Sequence, residues 1–385
     1  MDGSAAGQSA VVQGAGPTGS LAALALARSG WQVRLHDPQD ADALLGRRRA
    51  YALTHSSCEL LQQLGLWRAV APHCQPFDRL ELLDQGSRCR TAFTAPEAVG
   101  WIVEHKGLQQ ELLAACRQHP GVQLHLGEPG PEAANDEQLT VIAEGGNSPS
   151  RDNLGIGFGG FRYRQGCLSA IVQLDHQCNP ATAWEVFRPE GPLAVLPLGK
   201  GKTQIVWSAP RQRCEQRIQL SASAFLEQLN DALPEEVTTT ALLDQPAWFP
   251  VDWRLATRLG RGSTLLCGES AHRCHPVGGQ GLNLCWRDVA TLARLAGDRR
   301  TTPRLLVRRY SQRRWLDLLG VLIATDLLVR LFSNRHRLLL PLRRFGISML
   351  SCCSPLRRWS LNLATYGPKG MLLTTGWQQP NNQPS

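Results

Sequence analysis

Three glycines near the start of the chain lie in the run Val11-Val12-Gln13-Gly14-Ala15-Gly16-Pro17-Thr18-Gly19. Apolar residues precede them and the apolar stretch Leu21 to Ala27 follows, so the pattern places a glycine turn between a strand and a helix. There each glycine has its own task. Gly14 lets the chain turn tightly, Gly16 lets a backbone approach a diphosphate, and Gly19 allows close helix packing. Pro17 and Thr18 open the helix, whose free N–H groups and positive dipole end face two negative phosphates. About twenty residues on, Asp37 closes the second strand, where a carboxylate can accept hydrogen bonds from ribose hydroxyls. These residues can bind a dinucleotide; NAD and FAD present the same ribose and diphosphate to such a turn.

A second cluster discriminates between the two. Cys267-Gly268-Glu269-Ser270-Ala271-His272, then His275-Pro276 and Gly279-Gln280-Gly281-Leu282-Asn283-Leu284, resembles the second FAD motif of the aromatic-ring flavin hydroxylases. The resemblance implies that Glu269 binds the ribityl chain and that Pro276 sits close to the flavin ring. It also implies that Gly279, Gly281, Leu282 and Asn283 bring backbone N–H groups at a helix start to the pyrimidine edge, which is anionic when reduced. The structural alternative is a glycine-rich turn before a helix, with His272 and His275 merely hydrogen-bonded. Ala143-Glu144-Gly145-Gly146-Asn147-Ser148-Pro149-Ser150-Arg151 is similar to the segment that in those enzymes touches both FAD and the incoming nicotinamide nucleotide; a solvated loop is the other reading.

The elements that must position these residues are legible in outline. A chain of 385 residues exceeds what one core usually organises, so two packed lobes are expected. Strand, glycine turn, helix and strand alternate over residues 9 to 37. One helix fits Ser56 to Val70 and another Gly107 to Arg117, with short strands at Val122 to Leu126 and Leu139 to Ala143. From about residue 157 the period changes to two, with strands at Leu168 to Asp175, Ala183 to Arg188, Leu193 to Leu196 and Thr203 to Ser208. A helix near Ala222 to Ala232 follows, and Ser263 to Cys267 returns as a strand to the first lobe. Helices dominate from Leu284 onward, and Asp326 and Arg330 interrupt the apolar stretch Leu318 to Phe332, which does not suit a membrane span.

Hydrophobic content of 43% and charged content of 19% are those of a globular protein. The polar start, Met1 to Ala10, lacks the pattern of a secretory signal, so a cytosolic protein is expected, with the twelve cysteines, vicinal Cys352 and Cys353 included, acting as small hydrophobes. The net charge of +9 gathers in arginines of the last quarter. Nucleic acid would explain that charge but none of the motifs, and is not an expected partner. Basic helices carrying Trp315, Phe332, Phe345 and Trp359 suit either peripheral docking on the inner face of an anionic membrane or ordinary packing over the core.

Taken together, the chain resembles the ubiquinone-biosynthesis hydroxylases, the 2-polyprenylphenol hydroxylases among the single-component flavin monooxygenases. Arg49-Ala50-Tyr51-Ala52-Leu53-Thr54, Leu64-Gly65-Leu66-Trp67, Trp184-Glu185-Val186-Phe187, Glu190-Gly191-Pro192-Leu193-Ala194, Leu196-Pro197-Leu198, Ala324-Thr325-Asp326 and Leu331-Phe332-Ser333-Asn334 extend the match over nearly the whole length. The implied fold is α/β and p-hydroxybenzoate hydroxylase-like: a discontinuous Rossmann-type FAD-binding domain (1–156 and 259–297), an inserted antiparallel-sheet substrate domain (157–258, with some interleaving), C-terminal helices (298–377) and a disordered tail (378–385). NADPH or NADH would reduce FAD, and O2 would supply the oxygen inserted into a phenolic or quinone-like ring, possession of a prenyl tail being one option for that substrate. The flavin carries this chemistry, so no catalytic side chain and no metal are nominated. Arg49 and Gln109, with Arg47 as a lesser candidate, match positions that hold FAD phosphate and flavin-side groups. Glu144 and Glu269 stand where the family usually has Asp, Ser270 replaces a common Ala, and Lys106 a common Arg. Another flavin oxidoreductase of this fold, or a noncatalytic flavin- or quinone-binding accessory protein, remains the alternative.

Overall fold

A computed structural model describes residues 8–131, 137–298 and 300–367. Strand Ser9–Gln13 pairs in parallel with Gln32–Asp37 on one side and Leu139–Ile142 on the other, and helix Pro17–Arg28 makes the crossover to Gln32–Asp37. Val122–Leu126 extends the sheet beyond Gln32–Asp37. Thr264–Leu266 returns some 120 residues later to pair with Leu139–Ile142, and Gly260–Arg261 closes the edge. The nucleotide lobe is therefore discontinuous in sequence. Ten residues of helix Pro17–Arg28 are buried, because it lies between the sheet and helices His105–Gln118 and Gln280–Ala296. An apolar stretch too short for a membrane is the central helix of this core.

The second sheet has nine strands. Its path runs His272–Arg273, Ala247–Ala256, Phe158–Leu174, Lys202–Pro210, Leu193–Gly199, Thr182–Phe187, Arg79–Asp84 and Cys89–Thr94, with Thr239–Leu242 paired off the side. All pairings are antiparallel except that of Arg79–Asp84 with Thr182–Phe187. The last two strands of that path, Arg79–Asp84 and Cys89–Thr94, thus come from sequence before residue 157, in the stretch assigned above to the nucleotide unit. One face presents Leu168, Ala170, Trp184, Val186, Ile205 and Trp207 to Phe225 and Leu229 of helix Ala222–Asn230. By alternation the other face carries Ser169, Glu185, Phe187, Ala194 and Val206 toward the nucleotide lobe. A three-stranded sheet, Ala50–Leu53, Gly100–Glu104 and Cys74–Phe77, lies between.

Some elements depart from expectation. The helix read over Ser56 to Val70 is two, His55–Gln63 and Trp67–Val70, because Gly65 at φ +60° ends the first. The strand read from Leu168 begins ten residues earlier and bends through a register shift between Arg162 and Gly166. Pro303–Phe332 is one 30-residue helix, followed by Leu340–Cys352 and Ser354–Tyr366, and no helix among the described residues is long and apolar enough to cross a membrane. Not all the basic residues here are surface charges: Arg314 and Arg343 are buried. Phe332 is also buried, stacked on Phe187 with ring centroids 4.3 Å apart, so it does not belong to an exposed apolar face. The twelve cysteines are free thiols. The expected tail, 378–385, lies outside the described residues.

Candidate active site

At Gly14 the backbone has φ +100°, and a Cβ there would stand 2.4 Å from the Ala143 carbonyl oxygen. A Cβ on Gly19 would lie 1.7 Å from the Gly14 oxygen, so Gly19 is the packing glycine. Beside Gly16 a Cβ would meet nothing within 4 Å: space opens in front of the helix that Pro17 and Thr18 begin. The buried Asp37 carboxylate accepts from Ala15 N at 2.7 Å and Gln39 N at 2.9 Å, tying the turn to the end of the second strand. Gln109 donates from Nε2 to Ala15 O at 2.7 Å, while its buried Oε1 has no partner.

Strand Thr264–Leu266 delivers the second cluster to this turn. A Cβ on Gly268 would come within 2.9 Å of the Thr18 methyl. A buried network holds the approach: Asp288 accepts from Gly268 N at 2.8 Å, pairs with His272 Nε2 at 2.8 Å and with Arg314 Nε at 2.6 Å. Arg314 also bridges to Asp317, which Arg287 contacts at 3.0 Å. Burial alone would push the Asp288 carboxyl up; Arg314 and His272 outweigh it and hold its pKa below the ordinary value. His272 is thus a strut of the fold. Arg151, also buried, donates to Gly146 O and Ser270 O, and Ser270 Oγ donates to Gly145 O, so the 143–151 segment is fastened to the second cluster.

The two glutamates already have protein partners. Glu144 accepts from Ser148 Oγ, Ser150 N and Ser150 Oγ at 2.7, 3.2 and 2.6 Å, anchoring the start of helix Pro149–Asn153. Glu269 is partly exposed and lies 3.7 Å from Arg273, itself 3.3 Å from Asp252. Pro276 leads into the Val277–Gly279 turn, where Gly278 and Gly279 have φ of +67° and +62°. Space is open beside Gly278 and Gly281, as it is beside Gly145, while a Cβ on Gly279 would touch Ala52 Cβ at 2.9 Å. Leu282 packs against the main core at the start of helix Gln280–Ala296. Asn283 bonds Thr54, Ser57, Ala52 O and Gly279 O with its side chain, leaving its backbone for any ligand. Exposed Arg49 sets its guanidinium 5.2 Å from the Tyr51 ring centre; Arg47, also exposed, reaches Gln39 Oε1 at 3.3 Å, on the Asp37 side.

The structure adds residues for which no role was read from sequence. Glu185 reaches from the inner sheet face to accept a hydrogen bond from Gly278 N at 3.3 Å, and burial pushes its pKa up to about 7. His275 is buried, takes a bond from Val277 N on Nδ1 at 3.2 Å, and leaves Nε2 without a partner. Burial lowers its pKa to about 3, so it is neutral at physiological pH. Tyr163 meets the His275 ring edge to face, with centroids 5.3 Å apart, and donates to Asp326 at 2.8 Å. A carboxylate at an inward position of an apolar strand, Trp184-Glu185-Val186, is the signal that could have singled out Glu185.

The comparisons fit this geometry. The FAD binding domain family matches residues 8–316. The 3-demethoxyubiquinol 3-hydroxylase of Escherichia coli (strain K12) is 30% identical over 385 residues, covering 92% of this chain and 97% of the relative. Ubiquinone hydroxylase UbiL of Rhodospirillum rubrum is 30% identical over 382 residues, covering 90% and 87%. Among solved structures, p-nitrophenol 4-monooxygenase PnpA from Pseudomonas putida superposes with a TM-score of 0.73 at 17% identity, over 92% of this chain and 97% of that one. Fold and site together define an FAD-dependent aromatic-ring monooxygenase of the p-hydroxybenzoate hydroxylase-like architecture. Within that class, the chain belongs to the ubiquinone-biosynthesis hydroxylase family.

Proposed function

We propose that the chain hydroxylates the ring of a prenylated phenol or quinone precursor, using NADPH or NADH and O2, with one extended FAD gripped by both glycine clusters. The observation that carries this reading is the contact of Thr18 with Gly268, with open space at Gly16, Gly145, Gly278 and Gly281 around it. Four glycines whose missing side chains leave space on segments that converge make a cradle for a long ligand. In this reading the diphosphate takes the N–H groups of Gly16, Thr18 and Gly19, the ribose lies by Asp37 with Arg47 near, and Gln109 holds the turn from behind through Ala15 O. Arg49 and Glu269 serve the middle of the cofactor, Glu144 holds the Gly145 segment in place, and Pro276, Gly279, Gly281, Leu282 and Asn283 frame the ring end through backbone.

When bound, FAD accepts hydride from the nicotinamide and activates oxygen; the protein positions the aromatic ring and excludes water. The inner sheet face, with Phe187 and Phe332 stacked beside the Val277–Gly279 turn, supplies an apolar wall for such a ring. On the C-terminal helices Leu338, Leu342, Phe345 and Met349 repeat at helical spacing and are all exposed, with exposed Arg335, Arg337 and Arg344 among them. This pattern supports docking on an anionic bilayer, from which a polyprenyl tail can enter. The deciding experiment is the visible spectrum of the purified protein, followed by NADPH oxidation with a panel of prenylphenols under oxygen. A yellow chromophore bleached by NADPH, with hydroxylated product, is expected. Bleaching and reoxidation with no ring oxygenated across the panel would refute hydroxylation and leave another flavin oxidoreductase.

A further inference from the structure

Glu185 is a buried carboxylate in apolar company. It sits on strand Thr182–Phe187, whose alternate residues Trp184 and Val186 belong to the core on the other side of the sheet. Its neighbours in register are Leu82 and Ala194, and Phe187 on the same face joins Val277, Val329 and Phe332 in an apolar cluster. Among the described residues the carboxylate accepts one hydrogen bond, from Gly278 N to Oε2, and forms no ion pair. The other oxygen, Oε1, has no protein partner. Directly at Gly278 the structure is open, since a Cβ there would meet nothing within 4 Å.

An ionised carboxylate without a counter-charge in such surroundings is costly, and a fold that retains one usually gives it a ligand to hold. The backbone N–H of Gly278 satisfies half of it. The remaining acceptor has no partner and is not among the sealed buried atoms, and its carboxylate is bonded at the Val277–Gly279 turn, beside which space is open; the group that fits it is a neutral donor on a flat apolar body.

We propose that Glu185 selects substrates by accepting a hydrogen bond from a hydroxyl on the ring that is to be oxygenated. This inference rests on the ring-hydroxylase reading above and adds to it the chemical feature that the substrate must carry. The O–H bond is polarised, not broken: as the carboxylate draws on the proton, electron density moves from the oxygen into the ortho and para carbons, where an electrophilic oxygen adds. A ring whose oxygen is methylated has no donor and leaves Oε1 unsatisfied, which is the source of discrimination.

The ionised carboxylate is the stronger acceptor, so the preference strengthens as pH rises through the neutral range in which Glu185 titrates. Burial holds Cys167 and Cys274 at about 12 and His275 at about 3. On helix Pro303–Phe332, Asp326 is paired with Arg330 and accepts from Tyr163, whose hydroxyl burial pushes upward.

The test uses the full chain loaded with FAD and reads binding from the change in the flavin absorption spectrum, with no turnover. The probes are a phenol carrying one short isoprenoid tail and its O-methyl ether, at pH 6 and pH 8. Wild type is expected to bind the phenol at least about tenfold more tightly than the ether at pH 8, in line with a hydrogen bond to a charged acceptor, and with less preference at pH 6. Glu185→Leu is expected to bind the two probes equally, and Glu185→Gln to keep a pH-independent remnant of the preference. Equal binding of phenol and ether by the wild type overturns the proposal without need of any variant. So does a preference that survives in Glu185→Leu, or one that grows as pH falls, which would indicate a protonated carboxyl donating to a ring carbonyl. A chain that holds no FAD, or whose flavin is bleached by neither NADPH nor NADH, sinks the hydroxylase reading and this inference with it. One that hydroxylates a ring yet binds phenol and ether alike sinks this inference alone.

Discussion

Replacing Glu185 by Gln changes a charge and almost no volume, so its effect on stability isolates the cost of burying that carboxylate. The side chain is 7% exposed, and burial raises its pKa from the ordinary 4.5 to about 7. Between those values the folded chain holds a proton that the unfolded chain has lost. The favourable contribution is therefore complete below about pH 4.5 and is lost as pH rises through 7. That displacement amounts to about 3 kcal/mol. Glutamine carries no charge at any pH and can still accept from Gly278 N. The variant should therefore gain on the wild type by about 3 kcal/mol at pH 8 and not at pH 5. Unfolding entropy for 385 residues is about 0.8 kcal/mol per kelvin, so the gain reads as a melting temperature about 4 °C higher. The assay is thermal melting of both proteins, saturated with FAD, at pH 5 and pH 8. An equal difference at the two values, or a variant less stable at pH 8, would refute the reasoning, because either means that Glu185 is not a buried, unpaired charge.

The glycines make a paired prediction. Gly16→Val, pointing into open space, should cost about 1 kcal/mol or less in stability while weakening FAD binding at least about a hundredfold by fluorescence titration. Gly19→Ala, which meets the Gly14 oxygen at 1.7 Å, should instead destabilise the fold by at least about 3 kcal/mol in thermal melts. Equal effects of the two on melting would contradict this division. Arg314→Met leaves Asp288 and Asp317 without their shared buried partner and should lower stability by about 3–5 kcal/mol; an unchanged melting temperature would show that the network is not holding the Gly268 turn. Co-sedimentation at low salt should carry the wild type down with anionic liposomes, and Leu342→Glu with Phe345→Glu should leave it in the supernatant. Equal recovery of the wild type with neutral and anionic vesicles would count against membrane docking.

What was legible in the sequence is what backbone geometry dictates locally. The Gly14 turn, the closely packed Gly19 and the return of strand Thr264–Leu266 follow from glycine's freedom and from apolar periodicity, and those rules need no knowledge of distant contacts. Pairing partners are different. Nothing in Arg79–Asp84 announces that it lies beside Thr182–Phe187, because alternation tells which face a residue takes and not which strand is its neighbour. The same limit left Phe332 and the arginines of the last quarter undecided between surface and core, until the acidic residues that meet Arg314, and the ring that covers Phe332, are brought to them by the fold.

The two glutamates show why a motif position can keep its charge and still change its task. At Glu144 one more methylene than Asp carries the carboxylate to three donors of Ser148 and Ser150, so its acceptor capacity is largely taken up within the chain. Together these bonds stabilise the Gly145 segment in a way that a ligand hydroxyl would not readily displace. Glu269 is in the opposite situation. Its 3.7 Å pair with Arg273 is long and both side chains are more than a third exposed, so screening leaves the pair worth less than about 1 kcal/mol. A pair that weak would yield to hydrogen bonds from a sugar chain beside Gly268, where the reading proposed above puts the middle of the cofactor. Of the two positions, Glu269 is therefore the one whose charge would remain free to meet a cofactor bound as proposed, whereas Glu144 fixes the backbone of the Gly145 segment.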